Sequence, residues 1–203
     1  MNHDHQLSTR RIEAFSDGIF ALVATLLVLD LRLPDTIKLM TNQIALNTLF
    51  HLAPQFLSFA LSFFIVCIFC VNHHQFFYSL KKADRKLLWL NNLLLFWLCF
   101  IPFPTAFLGR YPTNQVTVIL FGSLLFLAAI SFYAMTYHAM LGSNIYDEHI
   151  SLEERKRSQK RSSWGIYLYG LSIILAFVSV YISLFIFIIV PLIYFVPRRI
   201  QFS

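Results

Sequence analysis

Long apolar runs dominate the chain, and most polar residues fall between them. Four runs, approximately 12–33, 49–71, 87–108 and 115–141, reach the roughly 20 helical residues needed to cross a bilayer core of about 30 Å. A fifth apolar region, 164–197, is too long for one comfortable crossing and gives about 17 residues to each of two. A turn near Val180 to Ser183 divides it into spans at 164–180 and 183–197, with Pro191 kinking or ending the last helix. The expected fold is an all-α membrane protein, six transmembrane helices in one domain over residues 1–203.

Charge decides the count of spans. With the N-terminus inside, six crossings place the N-terminal arm, the loop KKADRK, the loop EERKRSQKR and the pair Arg198 and Arg199 on one side. That puts thirteen of the 16 Lys and Arg inside and leaves Arg32, Lys38 and Arg110 outside. Five crossings would strand the C-terminal pair, against the inward bias of positive charge. The longest connection, Gly142 to Ser163, mixes acidic and basic residues and reads as a solvated helix extension, Glu153 and Glu154 lying near Arg157 and Arg161. No internal repeat is visible.

Composition agrees. With 58% hydrophobic and only 13% charged residues, the chain has too little polar surface to coat a soluble globule. The net charge of +6 sits in short clusters between spans, where it sets topology and gives no reason to expect a nucleic-acid partner. Cys67, Cys70 and Cys99 all lie within apolar runs, and Cys67-x-x-Cys70 lacks the strand-to-helix setting that makes such a pair reactive. Arg10 and Arg11 precede an apolar run as in a signal peptide, but the run is long and ends without a small-x-small site, so it is expected to remain. His3, Asp4 and His5 lack an anchored third metal ligand, and His51, His138 and His149 belong to no constellation. HExxH, GxSxG, Walker and TVGYG motifs are missing from the sequence.

The chemistry concentrates in the first span. At about 100° per residue, Arg11, Phe15, Gly18, Thr25, Leu26, Leu29 and Leu33 fall within about 60° of Leu22. Asp17 lies about 140° from Leu22, and Ser16 about 120° away on the other flank. Ala14, Gly18, Ala21 and Thr25 form a small-residue pattern that favours close helix approach. An unpaired carboxylate at the helix centre costs about 2.5 kcal/mol or more to insert, so Asp17 calls for a partner, with Arg11, His73 and His74 the best placed. Two readings of Asp17 follow: a structural polar clamp between helices, or a relay for protons or cations.

Three stretches carry a resemblance. Arg11-x-x-x-Phe15-Ser16-Asp17-Gly18 followed by ALVATLLVL, NHHQFF at the end of the second span, and DRKLLWLNNLLLFWLCFIPFPTAFLG together resemble the prokaryotic branch of the transmembrane protein 175 family of potassium channels. They cover most of residues 10 to 110. One departure is Cys70, where the family usually has Trp.

The resemblance implies a homotetramer with the first helix of each subunit lining a central pore. It places constricting layers at Leu22 and Leu29, with the Thr25 hydroxyl between them. It also implies an interhelical clamp of Arg11, Ser16, Asp17 and His73, His74 being a less certain participant. The function expected is a potassium-permeable cation channel, with potassium and other monovalent cations and the lipid bilayer as its partners. No cofactor and no enzymatic activity are expected. The setting implied for a prokaryotic member is the plasma membrane, both termini cytoplasmic. The rival reading is a multipass transporter coupled to protons or ions through Asp17 and His73 or His74.

Overall fold

Four of the described helices begin at a side-chain cap. The computed structural model describes residues 9–32, 41–142 and 145–195, with the side chains of 192–195 excepted. Leu33, Lys38, the His3–Asp4–His5 tract, the end of the sixth expected span and the pair Arg198 and Arg199 lie outside the described residues. Helix α1 runs Thr9–Leu26 and tightens into a 3₁₀ turn over Leu27–Asp30. Helix α2, Asn42–Tyr78, starts at Thr41, whose hydroxyl accepts from the Ile44 amide. Helices α3, Arg85–Cys99, and α5, Gln115–Leu141, start at Asp84 and Asn114, whose side-chain oxygens accept from Leu87 and Thr117 amides. Each satisfies one of the amides that a helix start leaves open.

Helix α4, Pro102–Arg110, continues α3 after a break at Phe100 and Ile101. The break has a local cause. Pro102 and Pro104 lack amide protons, so neither can donate back to the preceding turn, although Phe100 and Ile101 themselves keep helical dihedrals. Helix α6, Leu152–Leu175, opens with a reciprocal capping box between Ser151 and Glu154. It begins well before the apolar run at 164, so much of the basic segment is helical. The turn to α7, Val180–Phe195, falls at 176–179, N-terminal to the position expected from length alone. Pro191 is accommodated within α7.

The result is a six-helix membrane fold in which α3 and α4 share one span. Four of the helical stretches, Thr9–Asp30, Asn42–Tyr78, Arg85–Arg110 and Gln115–Leu141, are long and apolar enough to cross a membrane, and Val180–Pro191 is shorter. Helix α1 packs on α2 and α3, and its 3₁₀ turn on α2 and α4, while α5 lies between α3 and α6. Leu27, Leu87, Leu94, Leu98, Phe121 and Phe187 are fully buried at these seams. In lipid such contacts hold through close packing and hydrogen bonds, because hydrocarbon surrounds both sides.

Polar contacts and close approaches fix the register of the helices. Ser62 and Thr105 hydroxyls meet at 2.7 Å between α2 and α4, and those of Thr136 and Ser162 at 2.9 Å between α5 and α6. At Gly109 a Cβ would stand 2.7 Å from Ser58 Oγ and 3.0 Å from Gln55 Cα, so only glycine permits α4 to approach α2 this closely.

The segment 145–151 is fastened beneath the end of α2. Lys81 N donates to Ile145 O at 2.9 Å, Asp147 N to Ser79 O at 3.0 Å, and Lys81 Nζ pairs with Glu148 at 2.6 Å. The basic clusters at 81–86 and 155–161 therefore share one end of the bundle.

Candidate functional site

The two sides of α1 differ sharply. Ile12, Ser16, Phe20, Val23 and Leu27 recur at helical spacing and are at most 5% exposed. Across the helix, Leu22 is 52% and Leu29 58% exposed, and Ala14, Phe15, Gly18, Ala21 and Thr25 are exposed beside them. A Cβ at Gly18 would meet nothing within 4 Å. This face is the one that periodicity assigns to Leu22, Thr25 and Leu29. The 3₁₀ turn changes its outer end, because residues three apart eclipse in such a turn and Leu29 aligns with Leu26.

Thr25 has its proton already committed. Its hydroxyl donates to Leu22 O at 2.8 Å, which leaves the oxygen lone pairs on the exposed side. The side chain thus offers an acceptor flanked by two leucines.

Behind this face runs a buried chain of hydrogen bonds. His73 Nε2 meets Asn91 Oδ1 at 2.7 Å, Asn91 Nδ2 donates to Ser16 Oγ at 3.0 Å, and Ser16 Oγ donates to Ile12 O at 2.8 Å. The order of donors is self-consistent: an amide oxygen only accepts, so Nε2 carries the His73 proton. His73 Nδ1 is left without a partner among the described residues. The ring is held between Phe77, stacked at 4.4 Å, and the edge of Phe20 at 5.4 Å.

Ser16 and His73 are thus brought together, but through Asn91, which sequence reasoning did not single out. Its signal was present as a polar residue within the apolar run LLWLNNLLLFW. Arg11 and Asp17 are exposed and form no hydrogen bond or ion pair within the subunit among the described residues. His74 is exposed as well. No hydrogen-bonded path joins Asp17 to either histidine there, although Asp17 lies within electrostatic reach of His73 and Cys70. Cys70, at the usual Trp position, is half-buried against the core. Among the described residues no group of three His, Cys, Asp or Glu is placed to hold a metal.

Comparison with known proteins gives this geometry a family. The family model described as endosomal/lysosomal potassium channel TMEM175 matches residues 11–102. A potassium channel of Chamaesiphon minutus is 34% identical over 181 residues, 88% of this chain and 89% of that protein. The human endosomal/lysosomal proton channel TMEM175 is 34% identical over 144 residues, 66% of this chain but 29% of that longer protein. The crystal structure of a lysosomal potassium-selective channel TMEM175 homolog from Chamaesiphon minutus superposes with a TM-score of 0.82 at 31% identity, covering 92% of this chain and 95% of that one. Identity spread over nearly the whole length, on the same arrangement of helices, leads to one conclusion: the chain belongs to the TMEM175 family.

Proposed function

We propose that four copies of this chain form a potassium-permeable cation channel whose central pore is lined by α1. One observation carries the reading: α1 is buried along Ser16, Phe20, Val23 and Leu27, while Leu22, Thr25 and Leu29 are left uncovered by their own subunit. In a bilayer an uncovered apolar face meets lipid or a neighbouring subunit, and the small residues Ala14, Gly18 and Ala21 with the Thr25 hydroxyl on this side of the helix favour subunit contact. Four such faces around an axis make rings of leucine separated by a ring of threonine oxygens.

Leucine rings gate by excluding water, and a small helix rotation rehydrates them. Thr25 oxygens, with their protons turned to Leu22 O, then face the passing cation. Four hydroxyl oxygens replace only part of a hydration shell, so preference for potassium over sodium is modest. The names of the bacterial and human relatives support cation conduction.

Arg11 and Asp17, without partners among the described residues of the subunit, complete the clamp across the subunit boundary, where Ala14, Gly18 and Ala21 permit close approach. Residues 1–203 constitute one channel domain with both termini cytoplasmic, in the plasma membrane. The test is reconstitution of the full chain into planar bilayers with potassium and sodium gradients. Unitary currents that reverse toward the potassium equilibrium potential are expected; saturable flux without unitary current would select the carrier reading instead.

A further inference from the structure

We propose that the chain holds the phosphoester headgroup of an anionic lipid in a cavity between α2, α5, α6 and α7, away from the α1 face. The cavity measures about 310 Å³ and is open to one side. That volume is at the small end of ligand sites and suits a headgroup with the start of an acyl chain.

Its walls grade from charged to apolar. Along α6 the lining runs from Arg157 and Arg161 to Gly165 and Tyr169; along α2 it runs from Gln75 and Asn72 to Phe69 and Ile68. The gradients point the same way because the helices lie in opposite directions, and the charged end is the end that carries both basic clusters. An amphiphile with an anionic head and an apolar tail matches this order. A free anion would gain nothing from the apolar half.

A buried hydroxyl supplies the second observation. Tyr146 lines the cavity, is 3% exposed, and its Oη has no hydrogen-bond partner among the described residues. A buried hydroxyl without a partner is unfavourable, so an acceptor oxygen entering the cavity would find a donor ready. The ring is held in place by Arg155, whose guanidinium carbon stands 4.9 Å from its centroid and whose Nε and Nη2 donate to Ile150 O and Asp147 O. Glu154, the carboxylate among the described lining residues, is engaged by the Ser151 amide and hydroxyl, both at 2.9 Å. Arg157 and Arg161, one turn apart and both exposed, then set the sign of the mouth. Guanidinium groups are suited to phosphoester oxygens, and basic pockets between membrane helices recognise anionic headgroups.

The experiment is native mass spectrometry of the full-length assembly released from micelles, with phosphatidylglycerol, phosphatidylcholine or inorganic phosphate added separately. Phosphatidylglycerol adducts should persist and phosphatidylcholine adducts should not. Arg157→Gln and Arg161→Gln should each weaken the phosphatidylglycerol adduct about fivefold, from about 1 kcal/mol per basic residue. Ser158→Trp, which keeps every charge but fills the mouth, should do at least as much. Lys156→Gln and Lys160→Gln, on the same helix but outside the lining, should change binding less than twofold. Equal loss in the lysine and arginine variants would reduce the effect to diffuse charge. Wild-type binding by Ser158→Trp, or retention of phosphate in preference to lipid, would overturn the proposal.

Discussion

Asn91 Nδ2 donates to Ser16 Oγ across 3.0 Å, joining α3 to α1 between residues 75 apart in sequence. Its other amide atom accepts from His73, so one side chain ties three helices. Asn91→Leu keeps the volume but leaves the buried His73 Nε2–H without an acceptor, while Ser16 keeps its bond to Ile12 O, and should cost about 1–3 kcal/mol. Combining it with Ser16→Ala and His73→Phe removes the orphaned donor and the rest of the polar chain, and should recover part of that loss. Thermal melting followed by size-exclusion chromatography distinguishes the cases; a triple variant less stable than Asn91→Leu alone would argue against a satisfied network.

Leu22 and Leu29 make few contacts within the subunit, so shortening them should cost the fold little. If the proposed pore holds, Leu22→Ala and Leu29→Ala raise conductance or open probability severalfold, by widening the proposed apolar rings. Melting temperatures should stay near wild type. Recordings from verified tetramers that match wild type in both variants would remove these residues from the pore.

The reach of sequence reasoning depends on which physical constraint writes the pattern. A bilayer demands long apolar helices, so the spans are visible as runs, and helical periodicity places Leu22, Thr25 and Leu29 on one side of α1. Breaks within a run are harder to see. The stop at Phe100 and Ile101 is marked by Pro102 and Pro104 but hidden by unbroken hydropathy, and the turn at 176–179, AFVS, has neither Gly nor Pro to mark it. Asn91 was hidden for a different reason. Periodicity orders residues about their own helix axis, whereas the pairing of Asn91 with Ser16 and His73 is a relation between three axes, which only packing determines.

Asp17 offers a test that separates folding from the proposed assembly. It is exposed in the subunit and has no hydrogen-bond partner among the described residues, so Asp17→Asn should leave helix content and subunit packing unchanged while weakening the proposed tetramer. Light scattering coupled to size exclusion, with circular dichroism on the same sample, reads both quantities. Loss of helix in parallel with loss of tetramer would place the role of Asp17 within the subunit instead.

Asp84 links the start of α3 to the end of α5. Its Oδ1 accepts from the Leu87 amide at 2.7 Å, and its Oδ2 meets His138 Nε2 at 2.8 Å. Burial pushes the Asp84 carboxyl up, but the Leu87 amide and His138 outweigh it and hold the group below the ordinary carboxylate value. A depressed carboxyl contributes stability that is fully present above its unfolded pKa, about 3.9, and is lost as pH falls through the folded value. With 46% of the side chain exposed, solvent screening limits the contribution to less than about 1 kcal/mol. Asp84→Asn keeps a capping oxygen but removes the ionised acceptor, so it should melt slightly below wild type at pH 6. As pH falls from about 5 to about 2, the wild-type advantage should shrink to nothing, because both proteins then present a neutral cap. A gap in melting temperature that stays constant over that range would show that the carboxylate charge does not fasten α3 to α5.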